Sequence, residues 1–121
     1  MSWRRKGLRF EDRARSYLER RGLSLLSQNF HGRRGEIDLI MRDGDRICFI
    51  EVKYRKSRAY GGAANAIPVA KRRRIVDTAL YYLSTRATAA RLAPRFDAVL
   101  IQQQPDGGEA IEWIRNAFYA E

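Results

Sequence analysis

The sequence predicts an α/β fold in which helices flank a mixed central β-sheet. The apolar pattern gives the element order helix, three strands, helix, two strands, which is typical of helices packed on a mixed sheet. One strand candidate, residues 46–54, is apolar on both of its faces, as expected for a central strand covered on both sides. The chain has 121 residues, 45% of them apolar, so residues 1–121 are expected to form one domain.

The first element is a helix predicted over residues 9–21. Its apolar side chains recur at helical spacing, and Gly22 is a suitable C-terminal stop. The shared face consists of Phe10, Ala14, Tyr17, Leu18 and Arg21. Glu11 lies at the edge of this stripe and is expected to point toward the sheet. The alternative is an ordinary glutamate near a helix N-terminus, where the helix dipole favours negative charge.

Three strands and a turn are predicted next. Residues 23–30 are a short edge strand, and residues 31–35 form a basic turn. Residues 36–41 and 46–54 are strands joined by Asp43-Gly44-Asp45, a hairpin signal.

The second half of the chain starts with a loop predicted over residues 55–66, because these residues are small, polar and rich in glycine. Pro68 suits the first turn of a helix that runs to about Leu83. Its predicted apolar face consists of Val69, Ile75, Val76, Ala79, Leu80 and Leu83. A helical turn within 86–93 and strands at 96–102 and 109–115 complete the chain.

Positive charge dominates the composition. Lysine and arginine number 24 against 14 acids, a formal net charge of +10. Residues 1–34 carry +7 and residues 63–94 carry +5, whereas residues 35–62 carry only +1. A basic domain of this size favours a polyanionic partner, and nucleic acid is the first candidate. The alternatives are contact with a membrane surface and a charge that only serves solubility.

Several classes are excluded by composition. No run of about 18 apolar residues could span a membrane, and no apolar stretch follows the basic N-terminus as in a secretory signal. One cysteine, Cys48, and one histidine, His31, cannot make an internal disulfide, a Cys-x-x-Cys pair or a Cys/His zinc site. A cytoplasmic location is therefore expected.

The nearly neutral middle of the chain holds acids set among apolar residues. Glu36, Asp38 and Ile40 are expected to share one face of their strand, and Glu51 and Lys53 one face of the next. If the register matches, Asp38, Glu51 and Lys53 converge. Two carboxylates suit a hard cation such as Mg²⁺ or Mn²⁺, and the lysine could stabilise developing negative charge. The alternative is a cross-strand salt bridge on a solvated sheet face.

These residues also carry a resemblance. Gly35-Glu36-Ile37-Asp38-Leu39-Ile40 followed by Phe49-Ile50-Glu51-Val52-Lys53-Tyr54-Arg55 resembles the core of the PD-(D/E)xK nuclease superfamily. More narrowly, nearly the whole chain resembles the YraN-like family of small bacterial proteins, which are related in fold to archaeal Holliday-junction resolvases. Further matching positions are Gly7, Glu11, Ala14, Tyr17-Leu18, Asn29-Phe30, Lys71, Arg74-Ile75, Arg95-Phe96-Asp97 and Ala117-Phe118.

The resemblance implies a restriction-endonuclease-like core and a site. Asp38 and Glu51 match metal ligands, Lys53 matches the catalytic lysine, and Glu11 matches the helix-borne acid of resolvase-like members. It implies a Mg²⁺- or Mn²⁺-dependent endonuclease acting on branched or structured DNA, and a homodimer. Glu36 belongs to the motif without an assigned role, and Asp97 is expected to make a structural hydrogen bond to the basic turn.

Seven basic residues are candidates for holding the DNA backbone, and the alternative for those in loops is ordinary solvated charge. They are Arg33, Arg34, Arg55, Lys56, Arg58, Lys71 and Arg74. Two alternatives to an enzyme stay open. One is a non-catalytic nucleic-acid-binding module with a vestigial acidic site, and the other is a partner-binding protein whose charge serves solubility.

Overall fold

The computed structural model describes residues 3–56 and 67–120, with side chains from Phe10 onward. Two α-helices and five strands make up this part of the chain. They are α1 Trp3–Glu19, β1 Ser24–His31, β2 Glu36–Asp43, β3 Arg46–Arg55, α2 Val69–Ser84, β4 Ala93–Gln103 and β5 Glu109–Phe118. A short 3-10 helix, Ala89–Arg91, lies within the segment predicted as a helical turn.

The five strands form one mixed sheet in the order β1-β2-β3-β4-β5. Neighbouring strands are antiparallel except β3 and β4, which are parallel and are connected through α2. This connection is the crossover that a parallel pair requires. The predicted α/β class with a mixed central sheet is confirmed, and the strand predicted to be central, β3, is the middle one.

Each face of the sheet carries its own core. On one face Ile40, Phe49 and Ile75 pack together, so this face is covered by α2. On the other face Leu18 packs with Leu39 and Ile50, so this face is covered by α1. Successive residues of β3 alternate between the two cores, as the sequence predicted for a strand buried on both sides.

Helix α1 differs from its predicted bounds at both ends. It begins at Trp3 rather than residue 9, because residues 3–9 are rich in arginine and lysine, good helix formers that add no apolar stripe to the pattern. It ends at Glu19, where Leu23 N–H donates to Leu18 O at 3.2 Å and Gly22 N–H donates to Glu19 O at 3.1 Å. Gly22 takes φ +97°, which glycine adopts readily, so the predicted stop residue closes the helix.

Helix α2 is rotated from its predicted orientation. The buried residues are Ile75, Thr78, Ala79 and Tyr82. Val69 and Leu80, both predicted to face the core, are 66% and 60% exposed, so that part of the prediction is wrong. Thr78 can be buried because its hydroxyl donates to Arg74 O at 2.7 Å, which satisfies the polar group.

Some predictions concern residues outside the described ranges. The loop predicted over 55–66 falls largely there, since β3 runs to Arg55 and the description resumes at Ile67. Neither described helix combines the length and apolar character needed to cross a membrane.

Candidate functional site

The β2–β3 hairpin aligns the two predicted acids. Leu39 pairs with Ile50 and Ile40 with Phe49, and the same register continued by one step sets Asp38 opposite Glu51. The strand pairing stops there. Instead, Val52 N–H donates to Asp38 Oδ2 at 2.8 Å, so the carboxylate replaces the next backbone contact between the strands.

Strand β2 does not alternate regularly at this point. Ile37 packs in the α2-side core together with Ile40, although residues three apart in a regular strand face opposite sides. The prediction that Glu36, Asp38 and Ile40 share one face of a regular strand is therefore wrong in detail. On the neighbouring strand β1, Asn29 has φ +56°, a local irregularity beside the same point. The break leaves Asp38 in contact with acids from both sides of the sheet.

Glu11 is the acid contributed by α1. Burial raises the pKa of Glu11 to about 8, helped by the negative charge of Asp38 and a hydrogen bond with it, and opposed by the side chain of Asn29. Its Oε1 atom is buried without a hydrogen-bond partner. Because α1 begins at Trp3, Glu11 lies well inside the helix. The alternative reading, a glutamate favoured by a helix N-terminus, is therefore wrong.

Glu51 is the acid contributed by β3, and it is only 2% exposed to solvent. Burial raises its pKa to about 8, again with help from the charge of Asp38 and a hydrogen bond with it. Glu51 Oε2 lies 3.5 Å from Lys71 Nζ, whereas Glu51 Oε1 is buried without a hydrogen-bond partner. Glu51 is therefore not on a solvated sheet face, and the alternative of a cross-strand salt bridge on such a face is wrong for this residue.

Two lysines stand beside the acids. Burial lowers the pKa of Lys53 to about 8, with a further lowering from the adjacent Lys71. Burial also opposes the charge on Lys71, but hydrogen bonding to Lys53 and the carboxylates of Glu51 and Asp38 outweigh it and raise the pKa of Lys71. The sequence predicts Lys71 on a phosphate-facing surface, whereas in the structure it lies 3.5 Å from Glu51. A signal was present, because Lys71 lies four residues before the buried Ile75 on α2.

The acids suit a hard cation by their donor chemistry. Two buried carboxylate oxygens, on Glu11 and Glu51, have no protein donor, and burying such groups unpaired is costly. Among the side chains that the structure describes, from Phe10 to Lys56 and from Ile67 to Ala120, no three acidic, histidine or cysteine residues are grouped closely enough to hold a metal ion. The charge of Asp38 nevertheless reaches both glutamates, because it helps to raise the pKa of Glu11 and that of Glu51. Carboxylate oxygens are the ligands that Mg²⁺ and Mn²⁺ prefer, so the residues suit such an ion by donor type, although they are not assembled around one.

The basic turn after β1 is docked on α2. A Cβ at Gly32 would lie 3.0 Å from Thr78 Cγ2, and one at Gly35 would lie 3.7 Å from Arg74 Cβ. The close approach at Gly32 leaves little room for a larger residue. The turn thereby brings Arg33 and Arg34, both exposed, beside the exposed Arg74.

The other predicted backbone-binding residues follow the acids along β3. Arg55 is half-buried and donates from Nη1 to Tyr54 O at 3.2 Å, and Lys56 is exposed. Arg58 lies outside the described residues.

Asp97 makes structural hydrogen bonds, as predicted, but with different partners. Its fully buried carboxylate accepts from Arg95 Nε at 3.0 Å and from Trp113 Nε1 at 3.0 Å. The Asn116 N–H also donates to it, at 3.1 Å. The predicted bond to the basic turn is therefore wrong, because β4 and β5 surround Asp97 with donors of their own.

The raised pKa values of the acids predict that stability falls as pH rises. Because the folded-state pKa of Glu11 and Glu51 is about 8 against an ordinary 4.5, the folded chain binds more protons than the unfolded chain between these values. We expect the free energy of unfolding, measured with urea in the presence of a chelator, to decrease from about pH 5.5 to about pH 8. Lys53, with its pKa lowered to about 8, contributes the opposite slope only above that value.

The control for this pH dependence is Glu51→Gln, which removes one of the two titrating acids. Its free energy of unfolding should decrease less than that of the unmodified chain over the same pH range. An unmodified chain that gains stability with pH, or a variant with an equal decrease, would contradict the assignment.

The sequence of this chain matches a family model and curated relatives that carry the same family description. The model of a family described as "Uncharacterised protein family UPF0102" matches residues 10–101, a range that contains Glu11, Asp38, Glu51, Lys53 and Lys71. Over 117 residues the chain is 45% identical to a UPF0102 protein of Vibrio campbellii, covering 96% of this chain and 93% of that protein. It is 44% identical to one of Chromohalobacter salexigens, covering 97% and 93%, and 42% identical to one of Pseudomonas aeruginosa, covering 98% and 96%.

Proposed function

The chain belongs to the uncharacterised protein family UPF0102, and we propose that it is a metal-dependent endonuclease that hydrolyses phosphodiester bonds in DNA. The proposal includes membership of the PD-(D/E)xK nuclease superfamily and a branched or otherwise structured DNA substrate. The observation that carries it is the cluster formed by the buried Glu51 and the half-buried Glu11 and Asp38, with Lys53 and Lys71 beside it.

This cluster is difficult to explain as a stabilising feature. An unpaired buried carboxylate costs free energy, and the pKa values of about 8 for Glu11 and Glu51 express that cost. Lys71 contacts only one oxygen of Glu51, at 3.5 Å, and leaves the other without a partner. Groups with strongly shifted pKa values in a shared cluster are typical of functional sites.

Glu11, Asp38 and Glu51 would hold Mg²⁺ or Mn²⁺. When bound, such a cation supplies Lewis-acid chemistry, polarising a phosphodiester oxygen and offsetting the charge of the acids. The Val52 N–H bond fixes the Asp38 carboxylate, so one member of the set is oriented in advance. Lys53 lies among the acids, where its positive charge would stabilise the negative charge that develops on the phosphate during hydrolysis.

Exposed cations near the cluster would hold the DNA backbone. Arg33 and Arg34 lie on the basic turn that packs against α2, the helix that carries Arg74, and Lys56 follows the end of β3. The proposal includes Arg55 and also Arg58, which lies outside the described residues. Contacts of this kind position the nucleic acid without reading its sequence, which suits recognition by shape.

The same proposal places the protein in the cytoplasm as a homodimer. Cys48, the cysteine of the chain, is a free and buried thiol, as is ordinary in a reducing compartment. A dimer would match the two-fold symmetry of a branched substrate.

A non-catalytic nucleic-acid-binding module is the second candidate, and the Lys71 contact favours it. A lysine that already offsets part of the charge on Glu51 reduces the need for a metal ion. In that case the basic residues would bind nucleic acid and the acids would have no role in hydrolysis.

The two candidates are separated by incubating the protein with Mg²⁺ or Mn²⁺ and with labelled branched, single-stranded and duplex DNA. The endonuclease cleaves at least one substrate, and the variant Asp38→Ala binds that DNA without cleaving it. Glu112→Gln, which removes an exposed acid of the edge strand β5, is the matched control and should cleave normally. DNA binding that is unchanged by a chelator, together with no cleavage of any substrate, would support the non-catalytic binding module instead.

A further inference from the structure

The outward face of α2 carries an apolar strip that the sheet does not cover. Val69 and Leu80 are 66% and 60% exposed, and Tyr119, just past the end of β5, is 72% exposed. Apolar side chains gathered on a surface often mark a binding site.

A groove of about 1030 Å³ lies along this face. Its apolar lining comes from Val69, Val76, Phe118 and Tyr119. Its charged lining comes from Arg34, Arg72, Arg73, Arg74 and Asp77, which is four positive groups against one negative. The groove is therefore both apolar and strongly cationic.

The cations differ in how far they are already engaged. Arg34 lies 3.7 Å from Asp77, and Arg72 donates to Ile67 O at 2.8 Å while its guanidinium lies 5.7 Å from the Phe118 ring centroid. Arg73 and Arg74 are exposed. These two guanidinium groups are the best placed to bind an anion from solution.

We propose that this groove binds an unpaired, single-stranded segment of nucleic acid, with a base stacked on Tyr119 and phosphates on Arg73 and Arg74. Single strands are bound in this way, by a cationic groove with aromatic side chains on which bases stack. The inference rests on the proposed function and narrows its substrate to DNA that carries an unpaired tail.

The position of the groove supports this occupant. Arg34, at one part of its lining, lies four residues before Asp38, and Lys71, which reaches Glu51, precedes Arg72 on the same helix. A tail in the groove would thus lie along α2, the helix from which Lys71 reaches Glu51. A duplex offers phosphates but keeps its bases stacked, so the aromatic lining would stay unused.

A second copy of this chain fits the groove less well. A two-fold interface brings the same patch of both copies together, so four arginines would face four arginines. Like charges placed together in this way oppose association.

The test measures binding separately from cleavage. Fluorescence anisotropy in EDTA, on the Asp38→Asn background, would give the dissociation constants of a labelled single-stranded oligonucleotide and of a blunt duplex. We expect Tyr119→Ala to weaken single-strand binding about 5- to 100-fold and to leave duplex binding unchanged, whereas Tyr119→Phe keeps the ring and the affinity. Arg73→Ala should also lower the salt slope of single-strand binding by about 0.7.

The matched control is Arg20→Ala, because Arg20 is an exposed arginine just after α1, the helix on the opposite face of the sheet. Single-strand affinity unchanged in Tyr119→Ala, or lowered equally by Arg20→Ala and Arg73→Ala, would overturn the inference. So would a concentration-dependent dimer that Val69→Glu dissociates while single-strand binding persists unchanged. If the unmodified chain binds single strands in the groove but cleaves no DNA, only the proposed nuclease is contradicted. If the unmodified chain cleaves DNA and Tyr119→Ala leaves single-strand binding unchanged, only this inference is contradicted.

Discussion

Glu51→Gln is expected to lower metal-dependent cleavage by about 10³-fold or more, since a lost ligand forfeits several kcal/mol of charge stabilisation in the transition state. The substitution keeps the shape of the side chain and removes its charge. Single-turnover cleavage of the best substrate, at saturating Mg²⁺ or Mn²⁺, measures the loss. Glu112→Gln again serves as the control, because it removes an exposed acid on β5.

The same variant should be at least as stable as the unmodified chain at about pH 8, because the acid it removes has its pKa raised to about 8 by burial and by Asp38. A loss of activity together with intact or improved stability separates a functional role from a structural one. Cleavage that survives Glu51→Gln within a factor of about 10 would contradict the assignment of this residue.

Asp97→Ala is expected to lower the free energy of unfolding by about 3–5 kcal/mol, because it leaves a buried guanidinium without its main counter-charge. Arg95 is almost fully buried and bonds Asp97 through both Nε and Nη2, the latter at 3.0 Å. Its remaining acidic partner is Asp43, at 2.9 Å from Nη2. The Trp113 and Asn116 donors would lose their acceptor as well.

Urea denaturation measures this effect. The control is Glu19→Gln, which breaks an exposed pair with Arg15 and should cost less than about 0.5 kcal/mol. Adding Arg95→Met to Asp97→Ala should recover part of the loss, since the unpaired charge is then removed. An Asp97→Ala variant as stable as the Glu19→Gln control would contradict the structural role.

The sheet could be predicted from the sequence because its signals are local. The Asp43-Gly44-Asp45 turn fixes the β2–β3 hairpin, and the hairpin register aligns Asp38 with Glu51. The apolar pattern of β3 identified the central strand. Both acids and Lys53 could be chosen as site residues because charged groups within an apolar strand are unusual.

The rest depends on contacts between distant parts of the chain. Lys71 looks like one of four consecutive surface cations in sequence, and only the rotation of α2 turns it toward Glu51. The same rotation exposes Val69 and Leu80. Because α2 has apolar residues on two sides, the helical pattern alone does not determine which side packs on the sheet. The partners of Asp97 come from β5, whose pairing with β4 is set by tertiary structure.

If Glu11, Asp38 and Glu51 form the proposed site, together they bind a divalent cation. Isothermal titration of the purified protein with Mn²⁺ at about pH 8 tests it without relying on any substrate. We expect a saturable site whose affinity for Mn²⁺ is weakened at least about 10-fold by Asp38→Asn and left intact by Glu112→Gln. No binding up to about 10 mM Mn²⁺, or equal binding by the unmodified chain and Asp38→Asn, would contradict it.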